Sequence, residues 1–215
     1  MPEIDLSMPA FLRNQIETVG LSMTSVKFNS PSFVEVLKIA AQAYQKPVVD
    51  VCYAADEYSE IYSAWFRDEI VGTISVTRAA MGPIVFEEHY PEIILNKFRP
   101  VLCSAYRLCV AQRHINNAWI SKTLMLSCWA DELARGMRLA AIHANSRLVP
   151  FYKRFGYVAV KNGGFINPRY GTPSQVMVCP ANHQHRSAFR EICRGVSDEF
   201  DLSLLRDVVQ IDAVN

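Results

Sequence analysis

The sequence predicts a mixed α/β domain, and three observations carry that prediction. Short runs of β-branched and aromatic residues alternate with stretches whose apolar positions recur at helical spacing. Two of the runs, 61–67 and 70–78, meet at the polar turn Arg67-Asp68-Glu69 and so form a hairpin. Residues 138–157 pass from a short apolar run through a capped helix into a second strand.

Bulk properties bound the rest. A chain of 215 residues, half of them hydrophobic, is one large domain or a domain with an extension, and it can bury a substantial core. A formal net charge of +1 lacks the basic excess of a nucleic-acid-binding protein. No apolar run reaches the ~18 residues of a membrane span. Glu3 and Asp5 stand where a secretory leader would be basic, then apolar, and neither end has a lipidation motif, so the sequence predicts a cytoplasmic protein with no transmembrane segment. None of the six cysteines forms a Cys-x-x-Cys pair, which predicts neither a zinc nor any other metal site; Cys103, Cys109, Cys128 and Cys179 read as reduced core residues.

The elements follow in order. Residues 11–19 are weakly amphipathic, and 26–28 read as a first strand. Asn29, Ser30 and Ser32 are cap candidates for a helix over 33–44, which carries the stripe Val34, Leu37, Ala41 and Tyr44 and ends at Lys46-Pro47. After the hairpin, 81–99 is irregular, interrupted by Pro83 and Pro91, with one short helix. Residues 103–111 are a strand. Residues 120–137 form the longest helix, buried through Leu124, Cys128, Leu133 and Met137, with Arg135 and Arg138 at the negative end of its dipole. Residues 139–144 suit one buried strand; Asn145 caps the next helix, Leu148, Phe151, Tyr152 and Phe155 give its face, Gly156 stops it, and Tyr157 opens another strand. A Gly/Pro/Asn loop over 162–173 leads to a last strand over 175–179. The division is an N-terminal extension (1–25), a catalytic-sized domain (26–180) and a C-terminal helical extension (181–215).

Asn145, Leu148, Val149, Tyr152, Gly156 and Tyr157 resemble, without a gap, the last strand–helix–strand signature of the GNAT N-acetyltransferase superfamily. The element order over 26–180 is similar too. The resemblance implies the α/β GNAT (acyl-CoA N-acyltransferase) fold: a mixed sheet flanked by helices, in which two parallel strands, here 103–111 and 139–144, splay around the donor's pantetheine arm. Acetyl-coenzyme A users open the long helix with a glycine-rich loop whose backbone N–H groups bind pyrophosphate. This chain has Asn116, Trp119 and Ser121 at the corresponding positions. A tryptophan there obstructs a diphosphate, which points to a donor carrying phosphopantetheine without the nucleotide, an acyl-carrier protein, and to no other cofactor. Asp56-Glu57-Tyr58-Ser59, the run 71–76, Ser104–Val110 and Asn167-Pro168-Arg169-Tyr170-Gly171 resemble the long-chain N-acyl amino acid synthases, relatives of the acyl-homoserine-lactone synthases. Of the latter's Glu-x-x-Arg, Arg107 keeps the arginine while Ser104 replaces the glutamate.

The resemblance implies that Tyr152 donates a proton to the departing thiolate, a role suited to a phenol of pKa ≈ 10. For the proton leaving the acceptor amine, Glu87, with Glu88 and His89, is one candidate, and Ser104 could hold a water. Tyr106, Arg107, Leu108, Val110 and Asn145 are the substrate-binding candidates: backbone groups of Leu108 and Val110 for the pantetheine amides and thioester carbonyl, and Arg107 either for an acceptor carboxylate or in an internal pair with Asp56 or Glu87. Arg113, Lys122 and Arg154, with His114 and Lys153, are either a solvated face or the steering surface for an acidic carrier protein. The expected activity is transfer of a long acyl chain to an amino acid α-amine, an aromatic acceptor such as tyrosine being the one the resemblance suggests. The alternatives are acetyl-coenzyme A-dependent N-acetylation and a non-catalytic binding module of the same fold.

Overall fold

The β-branched runs on either side of Arg67-Asp68 pair as the hairpin β2 (Glu60–Phe66) and β3 (Glu69–Arg78), closed by a two-residue turn in which Arg67 takes φ +56°. The computed structural model describes residues 6–181, 190–193 and 205–209. In chain order the other elements are α1 (Ala10–Thr18), β1 (Leu21–Val26), α2 (Pro31–Tyr44), α3 (Glu92–Phe98), β4 (Leu102–Val110), α4 (Ala118–Ala134), β5 (Leu139–Asn145), α5 (Val149–Lys153), β6 (Val158–Ile166), β7 (Pro173–Pro180) and α6 (Arg190–Cys193). One seven-stranded sheet runs β1-β2-β3-β4-β5-β7-β6, with β4 and β5 parallel and every other pair antiparallel.

Both faces of the sheet are covered. On one, α4 lays Ile120, Leu124 and Cys128 against Tyr62, Val71, Ile74, Cys103 and Ile142. On the other, α3 packs Ile94 and Phe98 over Leu102, Leu139 and Val178, and α2 packs Phe33, Val36 and Ala40 over Ile61, Ile70 and Cys109. The approach of α4 depends on a missing side chain: a Cβ at Gly72 would lie 2.7 Å from Ile120 Cγ2 and 2.9 Å from Leu124 Cδ1.

The feature that makes a site is a parting of strands. β4 and β5 pair only from Leu102/Leu139 to Ala105/Ile142, although β4 continues to Val110 and β5 to Asn145. A β-bulge accompanies the parting. Thr73 faces Cys109 and Ser75 faces Tyr106, so Arg107 and Leu108 together oppose Ile74, and Arg107 takes φ +54°. A bulge bends its strand and re-aims the side chains around it.

Three sequence expectations need correction. The first strand is β1, not 26–28, and with α1 it belongs to the domain rather than to an extension over 1–25: Leu12, Ile16, Leu21 and Met23 all enter the α4-side core. Ser30 caps α2 through the Phe33 N–H, and Asn29 takes φ +59°, which leaves the segment after Val26 as a link. The stretch 162–173 is loop only over 167–172, because β6 runs through Asn162-Gly163; its register against β7 shifts between Ala159 and Gly164, so those residues mark an irregularity in a strand rather than its end. In the C-terminal segment the helical turn α6 buries Ile192 and Cys193, and Val209 bridges to Val160; the rest of the helical expectation for 181–215 lies outside the described residues. The six cysteines form no disulfide, and no described helix is long and apolar enough to cross a membrane.

Gly72→Ala is expected to destabilise the protein by roughly 1–3 kcal/mol through overpacking. A denaturant titration with a lower midpoint and an unchanged slope is the expected result; an unchanged midpoint would show that α4 shifts without penalty.

Candidate active site

Where β4 and β5 part, a cavity of about 300 Å³ opens through the sheet. Ala105–Leu108 and Ile142–Asn145 form its two strand walls; Ile74, Met125 and Cys128 close the α4 side, and Tyr53, Asn167 and Tyr170 the other. Six of the chain's nine tyrosines line it: Tyr44, Tyr53, Tyr106, Tyr152, Tyr157 and Tyr170. Burial raises the pKa of each of these phenols, so all of them are hydrogen-bond donors at neutral pH.

The bulge decides the polar wall. Adjacent residues of a regular strand point to opposite faces, yet Tyr106 and Arg107 both reach Asp56. The Tyr106 hydroxyl donates to Asp56 Oδ1 at 2.6 Å, and Arg107 grips the same carboxylate with Nη2 on Oδ1 at 2.7 Å and Nη1 on Oδ2 at 2.9 Å. Both charged side chains are fully buried. Nη1 also donates to the Val51 carbonyl at 2.9 Å and Nη2 to Ser75 Oγ at 2.6 Å. Burial opposes the arginine's charge, but the bonds and charge of Asp56 outweigh it and raise the Arg107 pKa. Of the two readings of Arg107, the structure has the internal pair with Asp56; every terminal N–H is committed, so it offers no fork to an acceptor carboxylate.

A loop closes the far side. Asn167 Oδ1 accepts from the backbone N–H groups of Arg169 and Tyr170 at 3.0 and 3.1 Å. Arg169 donates to the carbonyls of Asp50 and Cys52 at 2.7 and 2.8 Å and lies 4.0 Å over the Tyr53 ring. Tyr170 stacks on Tyr44 at 4.7 Å, and its hydroxyl meets that of Tyr53 at 2.8 Å.

The remaining candidates divide. Tyr152 lines the cavity, edge-on to Phe151 and Tyr157. Tyr106, Leu108 and Asn145 line it too, and Asn145 caps the turn into α5 by accepting from the Arg147 N–H at 3.0 Å. Val110 is not among the lining residues; it pairs with Gly72. Ser104 and Glu87 need correction. Ser104 is fully buried outside the cavity, 3.2 Å from the Tyr90 hydroxyl, because it lies on the α3 face of β4. Glu87 accepts from the Ile84 N–H at 2.9 Å and pairs with Arg99, which also keeps it out of the cavity wall. Arg113 is exposed and paired with Glu69. Lys122 sits 4.8 Å over the Trp119 ring, and Arg154 is exposed at the end of α5.

Sequence reasoning passed over His143. It is the one polar residue in the apolar run 139–144, and that was its signal. Its imidazole lines the cavity, edge-on to Phe86 at 4.8 Å, and its Nδ1 is buried with no hydrogen-bond partner among the described residues. Burial first, and the nearby His89 second, lower its pKa to about 4.

A family model described as N-acyl amino acid synthase FeeM matches residues 39–180. The solved structure of FeeM, an N-acyl amino acid synthase from uncultured soil microbes, superposes with a TM-score of 0.59 at 12% identity, covering 80% of this chain and 98% of that one. An acyl-CoA N-acyltransferase from Pseudomonas aeruginosa gives 0.52 at 15% identity, over 74% of this chain and 99% of that one. A GNAT family acetyltransferase from Elizabethkingia anophelis, with acetyl-CoA bound, gives 0.50 at 12% identity, over 75% and 98%. These structural likenesses establish the fold as GNAT. No curated protein matches the sequence.

Arg107→Met is expected to strand the buried Asp56 carboxylate and cost ~3–5 kcal/mol. Thermal melts should show the loss, while acceptor kinetics still distinguish a free acid from its methyl ester. A mutant of unchanged stability that loses this distinction would restore the substrate role.

Proposed function

This chain belongs to the FeeM family of N-acyl amino acid synthases and is an N-acyltransferase; we propose that it moves a long acyl chain from an acyl-carrier protein to the α-amine of an amino acid. The observation that carries this reading is the cavity at the parting of β4 and β5. It is walled by the two strands, with Ile74, Met125 and Cys128 on the α4 side and six tyrosines around it. A phosphopantetheine arm would lie between the strands, with the thioester near Leu108, where the bulge interrupts regular pairing. The attacking nitrogen bonds to the carbonyl carbon, and the C–S bond breaks. Tyr152, held protonated by burial, gives its proton to the departing sulfur.

The start of α4 supports the carrier-protein donor. Asn117 is its N-cap, accepting from the Trp119 N–H at 3.1 Å, so one of the free donors that could bind a diphosphate is already occupied. Trp119, 42% exposed, and Ser121 stand where glycines would let a nucleotide approach. Lys122 and Arg154 could steer an acidic partner to this rim; Arg113 contributes less, since Glu69 offsets it. The phosphopantetheine of the donor is then the only prosthetic group the reaction needs. The rings of Tyr44, Tyr53 and Tyr170 support an aromatic amino acid such as tyrosine as acceptor.

Steady-state kinetics with one acyl chain presented on carrier protein and on coenzyme A should give the higher kcat/KM for the carrier. A clear preference for coenzyme A would replace this donor with the nucleotide-bearing one and return the chain to acyl-CoA chemistry.

Tyr152→Phe should lower kcat by ~10²–10⁴-fold with little change in donor affinity, since only a proton donor is lost. Single-turnover rates of a folded mutant are the measurement. An unchanged rate would leave Tyr152 as a packing residue.

A further inference from the structure

We infer that the His143 imidazole takes the proton from the attacking amine, an assignment that rests on the acyl-transfer reading above. The residue has no evident structural task. On β5 it shares the face of Leu139 and Ala141, both buried apolar residues. An imidazole at such a position loses hydration, and its buried Nδ1 recovers no hydrogen bond. Its recorded ring contact is with Phe86, a contact any apolar side chain could make. An imidazole that lines a cavity from an apolar run of strand, with one nitrogen buried and unpartnered among the described residues, marks a place where a partner arrives with the substrate.

The competitors are removed by their bonds. Glu87 is held by Arg99 and the Ile84 N–H, Ser104 lies outside the cavity beside Tyr90, and Asp56 is occupied by Arg107, Tyr106 and the Tyr53 N–H. Among the described residues that line the cavity, His143 is the only one with an imidazole or a carboxylate. The titratable group recorded beside it is His89, itself 3.7 Å from Glu88. With a pKa of about 4 the ring is neutral at physiological pH and keeps its lone pair. It is too weak a base to strip a free ammonium ion. It is adequate for a nitrogen already bonded to the thioester carbon, whose N–H is far more acidic.

The step balances without a co-reactant. The amine lone pair forms the C–N bond, and the N–H proton passes to His143. The C–S electron pair leaves with sulfur, which takes the Tyr152 proton. The imidazolium then returns its proton through solvent to the Tyr152 phenolate, leaving amide and thiol.

The test uses the full-length protein with its acylated donor and an amino acid acceptor. His143→Gln should keep the donor KM and the melting temperature and lose roughly 10²-fold in kcat. His143→Ala should be equally slow, and added imidazole should restore N-acyl product in proportion to its neutral fraction as pH rises. Rescue of that form separates proton transfer from packing, because a packing defect does not follow the titration of free imidazole. If the glutamine variant matches the wild type in single-turnover rate, or if no rescue occurs in folded His143→Ala, the assignment is overturned while the acyl-transfer reading stands. A wild-type protein that acylates no amine would overturn both.

Discussion

The buried pair between Arg107 and Asp56 is the constraint from which the cavity is built. An arginine in the middle of a sheet must find a carboxylate or be expelled, since an unpaired buried charge costs several kcal/mol. Here it finds one 51 residues earlier in the chain. Reaching it requires the bulge, because Tyr106 and Arg107 must leave the strand on the same side. The pair then fixes the turn Ala54–Tyr58 against the sheet, with Asp56 also accepting from the Tyr53 N–H at 2.9 Å. Tyr53 in turn positions Tyr170 and supports Arg169. One ion pair thus bends β4 away from β5 and hangs the opposite wall of the opening beside the gap it creates.

A second cluster holds the α4 wall. Asp131 and Glu132, adjacent and buried, share the Tyr62 hydroxyl at 2.7 and 2.8 Å. Arg78 binds Glu132 through two nitrogens, at 2.7 and 2.9 Å, and Arg135 binds Asp131 at 2.8 Å. Asp131 further accepts from the Ser7 N–H at 3.0 Å, which ties the N-terminal segment to the same point. Apolar packing of α4 alone would tolerate sliding along the sheet. Directional bonds from β2 and β3 to one end of the helix remove that freedom, and Gly72 sets its depth. Met125 and Cys128 consequently meet the cavity at a fixed height.

What the sequence made legible was local. Asn145 as cap and Gly156 at φ +84° as stop depend on neighbours a few residues away, and both stand as read. The same holds for the hairpin, whose two-residue turn sets the register up to the shift between Trp65 and Ala64. The miss at β1 has a different cause: Leu21 and Met23 alternate with polar residues on an edge strand, a pattern no stronger than that of Val26 and Phe28 about Lys27. Asn162 and Gly163 were ambiguous because a strand irregularity and a loop use the same residues. Glu87 is suggested by closeness along the chain to the splayed strand and Ser104 by its register in a Glu-x-x-Arg pattern, and neither says which face a side chain takes. The partner of Arg107 could be narrowed to two carboxylates from sequence, but only the bulge, which no glycine or proline marks, selects Asp56.

The electrostatic character of the cavity limits what chemistry it can host. Its phenols are held protonated by burial, its imidazole is held neutral for the same reason, and its buried ion pair is internally balanced. Apart from Lys46, which also lines the cavity, such a lining offers little to a strongly charged nucleophile before reaction. It can receive a neutral amine and a neutral thioester, and then answer the opposite charges that develop as they combine. Under the proposed assignment, a phenol beside the departing sulfur and a neutral imidazole beside the attacking nitrogen would be complementary to that separation. The low dielectric that makes each group reluctant to ionise alone also strengthens the attraction between the two charges once both appear. Burial would then serve selectivity: a reaction in which proton release and proton uptake are coupled across the cavity is the one the proposed assignment favours.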